Sequence, residues 1–193
     1  HTLKSPVSVT GAGLMLGQRA TVIIEPAPPG HGIIIERIDL DPPVRIPALV
    51  EHAVDRARRT TLQNGSGVVE TVEHCLSALS GLGIDNALLR IDGPELPLGD
   101  GSASPYTQPI MEVGLVEQDA DRRLFKVHEP IVIEEDGAVL AAFPCEQRQM
   151  QLLYELDYGS NADRIGRQAF GFTLGRDDYL SEVAAARTFS LHE

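Results

Sequence analysis

The sequence is poor in cysteine and in aromatic residues, and it has no long apolar run. Its two cysteines, Cys75 and Cys145, lie far apart without a CxxC spacing, which argues against a disulfide framework and against a thiolate metal site. Its longest apolar stretches, such as residues 137–143, fall far short of the ~20 residues that a membrane-spanning helix needs. No charged and apolar leader opens the chain. We therefore expect a cytoplasmic protein without a transmembrane segment.

Positive charge is also scarce. Lys and Arg number 16 against 28 Asp and Glu, and the resulting net charge of -12 repels a phosphate backbone. The basic residues cluster in one short segment only, at Arg56, Arg58 and Arg59. We therefore expect no nucleic-acid partner.

The remaining composition is that of a globular protein. The chain has 193 residues, 42% of them hydrophobic and 23% charged, which is enough for one or two domains with a sizeable core. Its 18 glycines and 13 prolines predict many tight turns. Disorder and fibrous repeats are excluded.

Runs of β-forming residues predict a set of three consecutive strands near each end of the chain. The first set is Val7 to Val9, Ala20 to Glu25 and Ile33 to Arg37, and the second is His128 to Glu134, Val139 to Phe143 and Met150 to Asp157. A polar segment separates the two sets. We interpret the pattern as a distant internal repeat of one α+β unit, with a first domain at 1–117, a linker at 118–123 and a partial second domain at 124–193.

One segment carries the clearest helical pattern. Apolar residues recur at helical spacing on one face, at Val72, Cys75, Leu76, Leu79 and Leu82. Thr71 is the predicted N-cap, and Gly81 and Gly83 end the helix. Two further helices are predicted, from about Pro105 to Val113 and from Tyr179 to Phe189.

The first turn of the main helix carries Glu73 and His74 side by side. A helix start favours a carboxylate and a neutral imidazole, and neutral imidazole binds zinc well. If His74 ligates a metal, the Glu73 side chain, about 100° around the axis, could reach the metal's water as a general base. The alternative is a helix start with an ordinary surface Glu and His.

Other candidates favour structural roles. The segment from Gly11 to Gly17 continues into a strand, so it predicts a hairpin connection and not a dinucleotide loop. Asp100 has no basic partner that the sequence can place beside it, and an Asx-type turn with Ser102 as cap is the simpler interpretation. His52 and Asp55 could share a helix face and chelate a metal, although a solvated mixture of charges is the simpler interpretation.

The C-terminal run ends in Thr188 and Phe189. One interpretation is a helix end that packs Phe189 into the core. The other is functional, with the Thr188 hydroxyl donating a hydrogen bond to a developing oxyanion.

Several short motifs resemble, in order, those of the zinc-dependent UDP-3-O-acyl-N-acetylglucosamine deacetylases of lipid A biosynthesis. They are Thr71-Val-Glu-His74, Ala78-Leu-Ser-Gly-Leu-Gly-Ile-Asp-Asn86, Asp92-Gly-Pro-Glu-Leu-Pro97, Asp100-Gly-Ser-Ala103 and Ala186-Arg-Thr-Phe189. The segment from Gly11 to Gly17, called the glycine loop below, and Asp39-Leu-Asp-Pro-Pro43 also lie where the family has similar motifs. The resemblance runs from the first residues to the last.

The resemblance implies a fold of two similar α+β domains, each a sheet with helices on one face, packed helix layer to helix layer. It implies a metal-dependent amidohydrolase that removes the N-acetyl group of a UDP-sugar with a zinc-activated water. Glu73 would be the catalytic base, His74 a zinc ligand, Thr188 a catalytic oxyanion donor, and Phe189 a substrate-binding residue near the sugar.

Two departures from the family pattern accompany the resemblance. The family's remaining zinc ligands, from a His-Lys-x-x-Asp helix, and its later Gly-His pair do not follow Phe189 in this sequence, and Met15 replaces the histidine typical of its glycine loop. We expect residues 1–193 alone to bind zinc weakly or not at all, because three protein ligands are usual. A complementing C-terminal segment or chain would supply the rest. The alternative is an inactive relative, or half of a split enzyme, that binds a sugar nucleotide or a partner protein.

Overall fold

The computed structural model describes residues 1–146, 149–159 and 165–189. Contacts divide the chain into two compact units, one formed by residues 1–120 with the segment from Tyr179 onward, the other by residues 121–178. Strands and helices occur together, which confirms the predicted α+β class. The boundary after Ala120 falls inside the predicted linker. The predicted domain division, with its second similar domain, stays a prediction.

A five-stranded sheet forms the frame of the first unit. Its strands are β2 (Val7–Ala12), β3 (Arg19–Pro26), β4 (Ile33–Arg37), β5 (Val44–Pro47) and β9 (Ala87–Ile91), in the order β2-β3-β9-β4-β5. Strands β4 and β9 run parallel and the other pairs antiparallel. Alternate residues of β3, at Ala20, Val22 and Ile24, are buried, as the period of a half-buried strand requires.

Smaller strands complete the first unit. A short pair joins β1 (Thr2–Leu3) to β10 (Leu115–Val116), and a three-stranded sheet consists of β6 (Ala53–Val54), β7 (Thr61–Asn64) and β8 (Gly67–Glu70). Strand β8 leads directly into the main helix. The glycine loop joins β2 to β3, with Ala12 opposite Arg19, so the predicted hairpin connection is confirmed.

Two helices pack on the frame: α1 (Glu73–Gly81) and α2 (Ser104–Val113). The predicted apolar face of α1 is confirmed, since Val72, Cys75, Leu79 and Leu82 are buried in the core with strand residues such as Ile35 and Leu89. Burial raises the pKa of the Cys75 thiol, because a thiolate there would lose its solvation. Cys75 therefore acts as a small apolar core residue.

The prediction that Thr71 caps α1 is wrong. The N-cap residue is Val72, and no side chain bonds the cap position. Thr71 has a φ of 57° and its hydroxyl donates to Glu95 at 2.7 Å instead. A partner distant in sequence therefore takes the hydroxyl that a local cap would use.

The described residues of the second unit form two antiparallel hairpins. The strands are β11 (Ile131–Glu135) with β12 (Ala138–Ala142), and β13 (Gln151–Asp157) with β14 (Arg167–Thr173). Each predicted strand is found within a few residues of its expected bounds. Every helix among the described residues is too short or too polar to cross a membrane.

The helical run predicted from Tyr179 to Phe189 is wrong in its second half. Helix α3 (Arg176–Asp178) continues into a single π-helical turn, Tyr179–Val183, and residues 186–189 follow without regular structure. The Thr188 N–H donates to the Gly101 carbonyl at 2.8 Å, so it is bonded to a turn of the first unit. Tertiary bonding therefore replaces the helical hydrogen bonds that the local pattern predicted.

Candidate functional site

A cleft of about 250 Å³ lies in the first unit at the start of α1. The lining residues are Glu73, His74, Ser77, Ala103, Val183 and Ala186. Both predicted site residues of α1 therefore face one space. Their side chains are half-buried, which leaves them accessible to a ligand in the cleft.

Glu73 is held by Thr60, the residue directly before β7. One of its carboxylate oxygens, Oε2, accepts a hydrogen bond from the Thr60 N–H at 3.0 Å. The Val72 N–H in turn donates to the Thr60 carbonyl at 3.3 Å. Thr60 therefore forms hydrogen bonds with both Val72 and Glu73. These bonds fix the orientation of the first turn of α1 relative to the three-stranded sheet β6-β7-β8, called the small sheet below.

The segment from Tyr179 to Phe189, called the C-terminal segment below, reaches the cleft through Tyr179. The Tyr179 hydroxyl lies 2.8 Å from Ser77 Oγ, and its ring covers Gly81, where an added Cβ would come within 2.3 Å of the ring. Burial raises the pKa of Tyr179, although the hydrogen bond with Ser77 opposes that shift. Tyr179 thus anchors the segment on α1 and places Val183 and Ala186 at the cleft.

A turn before α2 holds the next part of the same segment. The Ala103 N–H and the Ser104 hydroxyl donate to the Ala184 carbonyl at 3.0 and 3.2 Å. Arg187 pairs with Asp100 at 3.2 Å, which corrects the expectation that Asp100 has no basic partner. The pair was invisible in the sequence because the two residues are 87 positions apart.

Ser102 is not the cap of α2, since the N-cap residue is Ala103, but the predicted Asx-type turn at Asp100 is confirmed. Its Oδ1 accepts the Ser102 N–H at 3.1 Å and the Ser102 hydroxyl at 2.7 Å, and Ser102 Oγ accepts the Ser104 N–H. The bond from the Ser102 hydroxyl, above all, lowers the pKa of Asp100. This turn places Gly101 where its carbonyl receives the Thr188 N–H.

Thr188 and Phe189 lie next to the cleft without lining it. Thr188 follows the lining residue Ala186 by two positions, and both Thr188 and Phe189 are exposed. Phe189 is therefore not packed into the core, which removes the structural interpretation of that ring. The functional roles expected for Thr188 and Phe189 stay predictions.

Sequence reasoning missed one residue beside the site. Glu95 is fully buried, and its carboxylate accepts hydrogen bonds from Thr71 and from the glycine loop. In the sequence it is recognised only as a member of the Asp92-Gly-Pro-Glu-Leu-Pro97 motif, without a role of its own. A clue was that a charged residue stands between the buried strand β9 and the apolar Leu96, where burial requires partners.

The metal pair suggested for His52 and Asp55 is wrong. His52 ends a 3₁₀ turn and its Nδ1 lies 3.1 Å from the Gln63 carbonyl, while Asp55 follows β6 outside any helix. The shared helix face on which the pairing depended does not form.

Comparison with known proteins identifies the family. The family model for UDP-3-O-acyl N-acetylglycosamine deacetylase (LpxC) matches residues 1–193. The chain belongs to this family. A UDP-3-O-acyl-N-acetylglucosamine deacetylase of Myxococcus xanthus is 39% identical over 98% of this chain, and one of Legionella pneumophila is 38% identical over 98%. The chain spans about three fifths of the length of these curated relatives, 59% and 62%.

The LpxC family is zinc-dependent, and the cleft fits zinc in part. His74 offers a half-buried imidazole beside the Glu73 carboxylate in one cleft, which is suitable for one ligand and its neighbouring base. Within residues 1–146, 149–159 and 165–189, no three His, Cys, Asp or Glu side chains come together as a metal group. The described residues therefore supply one candidate ligand of a zinc site and not a full set.

Proposed function

We propose that this chain is part of an enzyme that hydrolyses the N-acetyl group of UDP-3-O-acyl-N-acetylglucosamine, the committed step of lipid A biosynthesis. The single observation that carries the proposal is that Glu73 and His74 line the same cleft. The names of the relatives, which match 98% of this chain, support the substrate.

Glu73 is the proposed general base. Its Oε2 accepts the Thr60 N–H, so the carboxylate has a fixed direction when it takes a proton from the attacking water. His74 is the proposed zinc ligand on the next residue of the same turn. A bound zinc ion would supply a Lewis acid that polarises the acetamide carbonyl and lowers the pKa of water.

Thr188 and Phe189 are the proposed substrate contacts of the C-terminal segment. The backbone bond from Thr188 to Gly101 fixes the segment while the threonine stays exposed. Its hydroxyl would donate to the oxygen that becomes negative as the carbonyl is attacked. The exposed Phe189 ring would pack against the sugar.

The proposal retains the sequence-based expectations of a cytoplasmic enzyme that binds no nucleic acid. It also requires His and Asp ligands from outside the described residues, through a complementing segment or chain. Zinc then needs both His74 and that second contribution.

The natural protein in its full length tests the proposal through substitutions at the two cleft residues. Glu73→Gln should lower kcat by about 10²- to 10⁴-fold while zinc stays bound, because only the base is lost. His74→Ala should lower zinc content as well as activity. Deacetylation of the UDP-sugar and elemental zinc measure the two effects.

Exposed residues provide matched controls. Glu112→Gln and His128→Ala change the same chemical groups at exposed positions outside the cleft and should leave both readouts unchanged. A full-length wild-type protein with neither zinc nor turnover would instead support the inactive relative.

A further inference from the structure

Glu95 is a buried carboxylate at the junction between the small sheet and α1. Its side chain is 0% exposed. The backbone on both sides of it is bonded to the end of β8, since the Glu70 N–H donates to Pro94 at 2.9 Å and the Leu96 N–H donates to Glu70 at 3.1 Å. Glu95 therefore has a fixed position directly beside Thr71, the residue after β8.

Three donors converge on this carboxylate from two distant parts of the chain. Oε1 accepts the Met15 N–H at 2.8 Å and the Thr71 hydroxyl at 2.7 Å, and Oε2 accepts the Leu16 N–H at 2.7 Å. Hydrogen bonds to a buried carboxylate are stronger than those between neutral groups. One side chain thus joins the glycine loop to the residue that precedes Val72 and Glu73.

The loop is shaped to enclose the carboxylate. An added Cβ at Gly13 would come within 2.1 Å of Glu95 Oε2, so only glycine allows this approach. The Gly13 N–H also closes the loop by donating to Gln18 at 3.0 Å. Because of this geometry the Met15 N–H and the Thr71 hydroxyl reach the same carboxylate oxygen, while the Met15 side chain stays exposed.

Thr71 has a backbone conformation that a β-branched residue rarely adopts, with a φ of 57°. Such a conformation persists only where the surroundings hold it in place. The bond to Glu95 is a side-chain contact that does so, and Thr71 lies two positions before Glu73. A relaxed Thr71 would change the direction in which the chain enters α1.

We propose that Glu95 is a positioning residue, which through Thr71 sets the orientation of Glu73 and His74 and through two loop N–H groups sets the position of Met15. This inference rests on the proposed deacetylase function. Glu95 is not among the residues that line the cleft. Its carboxylate is hydrogen-bonded to Thr71 and to the glycine loop instead. Its effect on zinc and on the reaction is therefore indirect.

The first test removes one hydrogen-bond donor to Glu95 and keeps the shape of the donor's side chain nearly unchanged. Thr71→Val in the full-length natural protein keeps the branched side chain and deletes the hydroxyl that Glu95 accepts. We expect zinc affinity and kcat each to fall about 10- to 100-fold, the usual effect of losing a group that orients a metal ligand. Thr71→Ser keeps the hydroxyl and should restore both values nearly to those of wild type.

Thr2→Val provides the matched structural control. Thr2 is also a buried threonine, and its hydroxyl donates to Asn86 at 2.7 Å and accepts the Ala27 N–H at 3.0 Å, at the β1 edge of the same unit. Its loss should lower thermal stability without changing zinc affinity or kcat. If Thr71→Val matches Thr2→Val in all three measurements, Thr71 is merely structural and the inference is overturned.

Glu95→Gln tests the carboxylate itself. The amide can accept at one oxygen only, so its NH₂ group must face an N–H or hydroxyl donor that Glu95 now satisfies. We expect reduced zinc affinity together with faster amide hydrogen exchange at Met15 and Leu16. Unchanged zinc affinity in a folded Glu95→Gln protein overturns the proposal, whereas a wild-type protein without zinc or turnover overturns the proposed function first.

Discussion

The ring of Tyr179 lies on Gly81 at the last residue of α1, and this contact helps to hold the C-terminal segment at the cleft. Glycine is normally the least favourable residue in a helix after proline. Here it is required, because any Cβ would overlap the ring. The sequence predicted Gly81 only as a helix end, since the ring that needs it is 98 positions away in the chain.

Gly81→Ala should therefore reverse the usual effect of that substitution. In an ordinary helix it stabilises by about 1 kcal/mol. Here we expect the free energy of unfolding to fall by about 1 to 3 kcal/mol, as for overpacking in a core. Urea unfolding measures the change, and Ser80→Ala on the exposed neighbouring position is the control. A more stable Gly81→Ala protein would show that Tyr179 does not occupy this position.

Among the elements, the connection of β4 to the small sheet depends on a buried arginine. Arg37 is 6% exposed; it donates to the Val68 carbonyl on β8 and pairs with Asp39 at 2.7 Å. The side-chain bond from Arg37, opposed by partial burial, lowers the pKa of Asp39. Because β8 leads into α1, this pair supports the start of the site.

The lowered pKa predicts how stability depends on pH. The contribution of Asp39 is fully present above the ordinary Asp pKa and is lost as the pH falls through its lowered value. Asp39→Asn should cost about 1 to 3 kcal/mol at pH 7, and the difference from wild type should shrink toward pH 3. Urea unfolding across this range measures it, with the exposed Asp55→Asn as control. A difference that stays constant with pH would contradict the ion pair.

Much of this architecture could be predicted from local pattern. The strands around the glycine loop, the apolar face of α1 and the Asx turn at Asp100 all follow from short-range periodicity and turn chemistry. The exceptions share one cause. Thr71, Arg187 and Thr188 take partners far away in sequence, and such partners outweigh local preference.

On the scale of the whole molecule, the cleft combines parts of the chain that are more than a hundred positions apart. Its lining residues come from α1, from the turn before α2 and from the C-terminal segment, all in one compact unit. Family membership explains why these motifs occur in this order. Glu95 was missed because its partners, Met15 and Leu16, are about 80 positions earlier.

The most direct test of the account is a crystal structure of the full-length natural protein, with zinc located by its anomalous scattering. We expect a zinc ion at about 2.0 to 2.1 Å from an imidazole nitrogen of His74, with the Glu73 carboxylate in the same cleft and not among the ligands. A zinc ion held without His74, or a Glu73 side chain directed away from that ion, would contradict it.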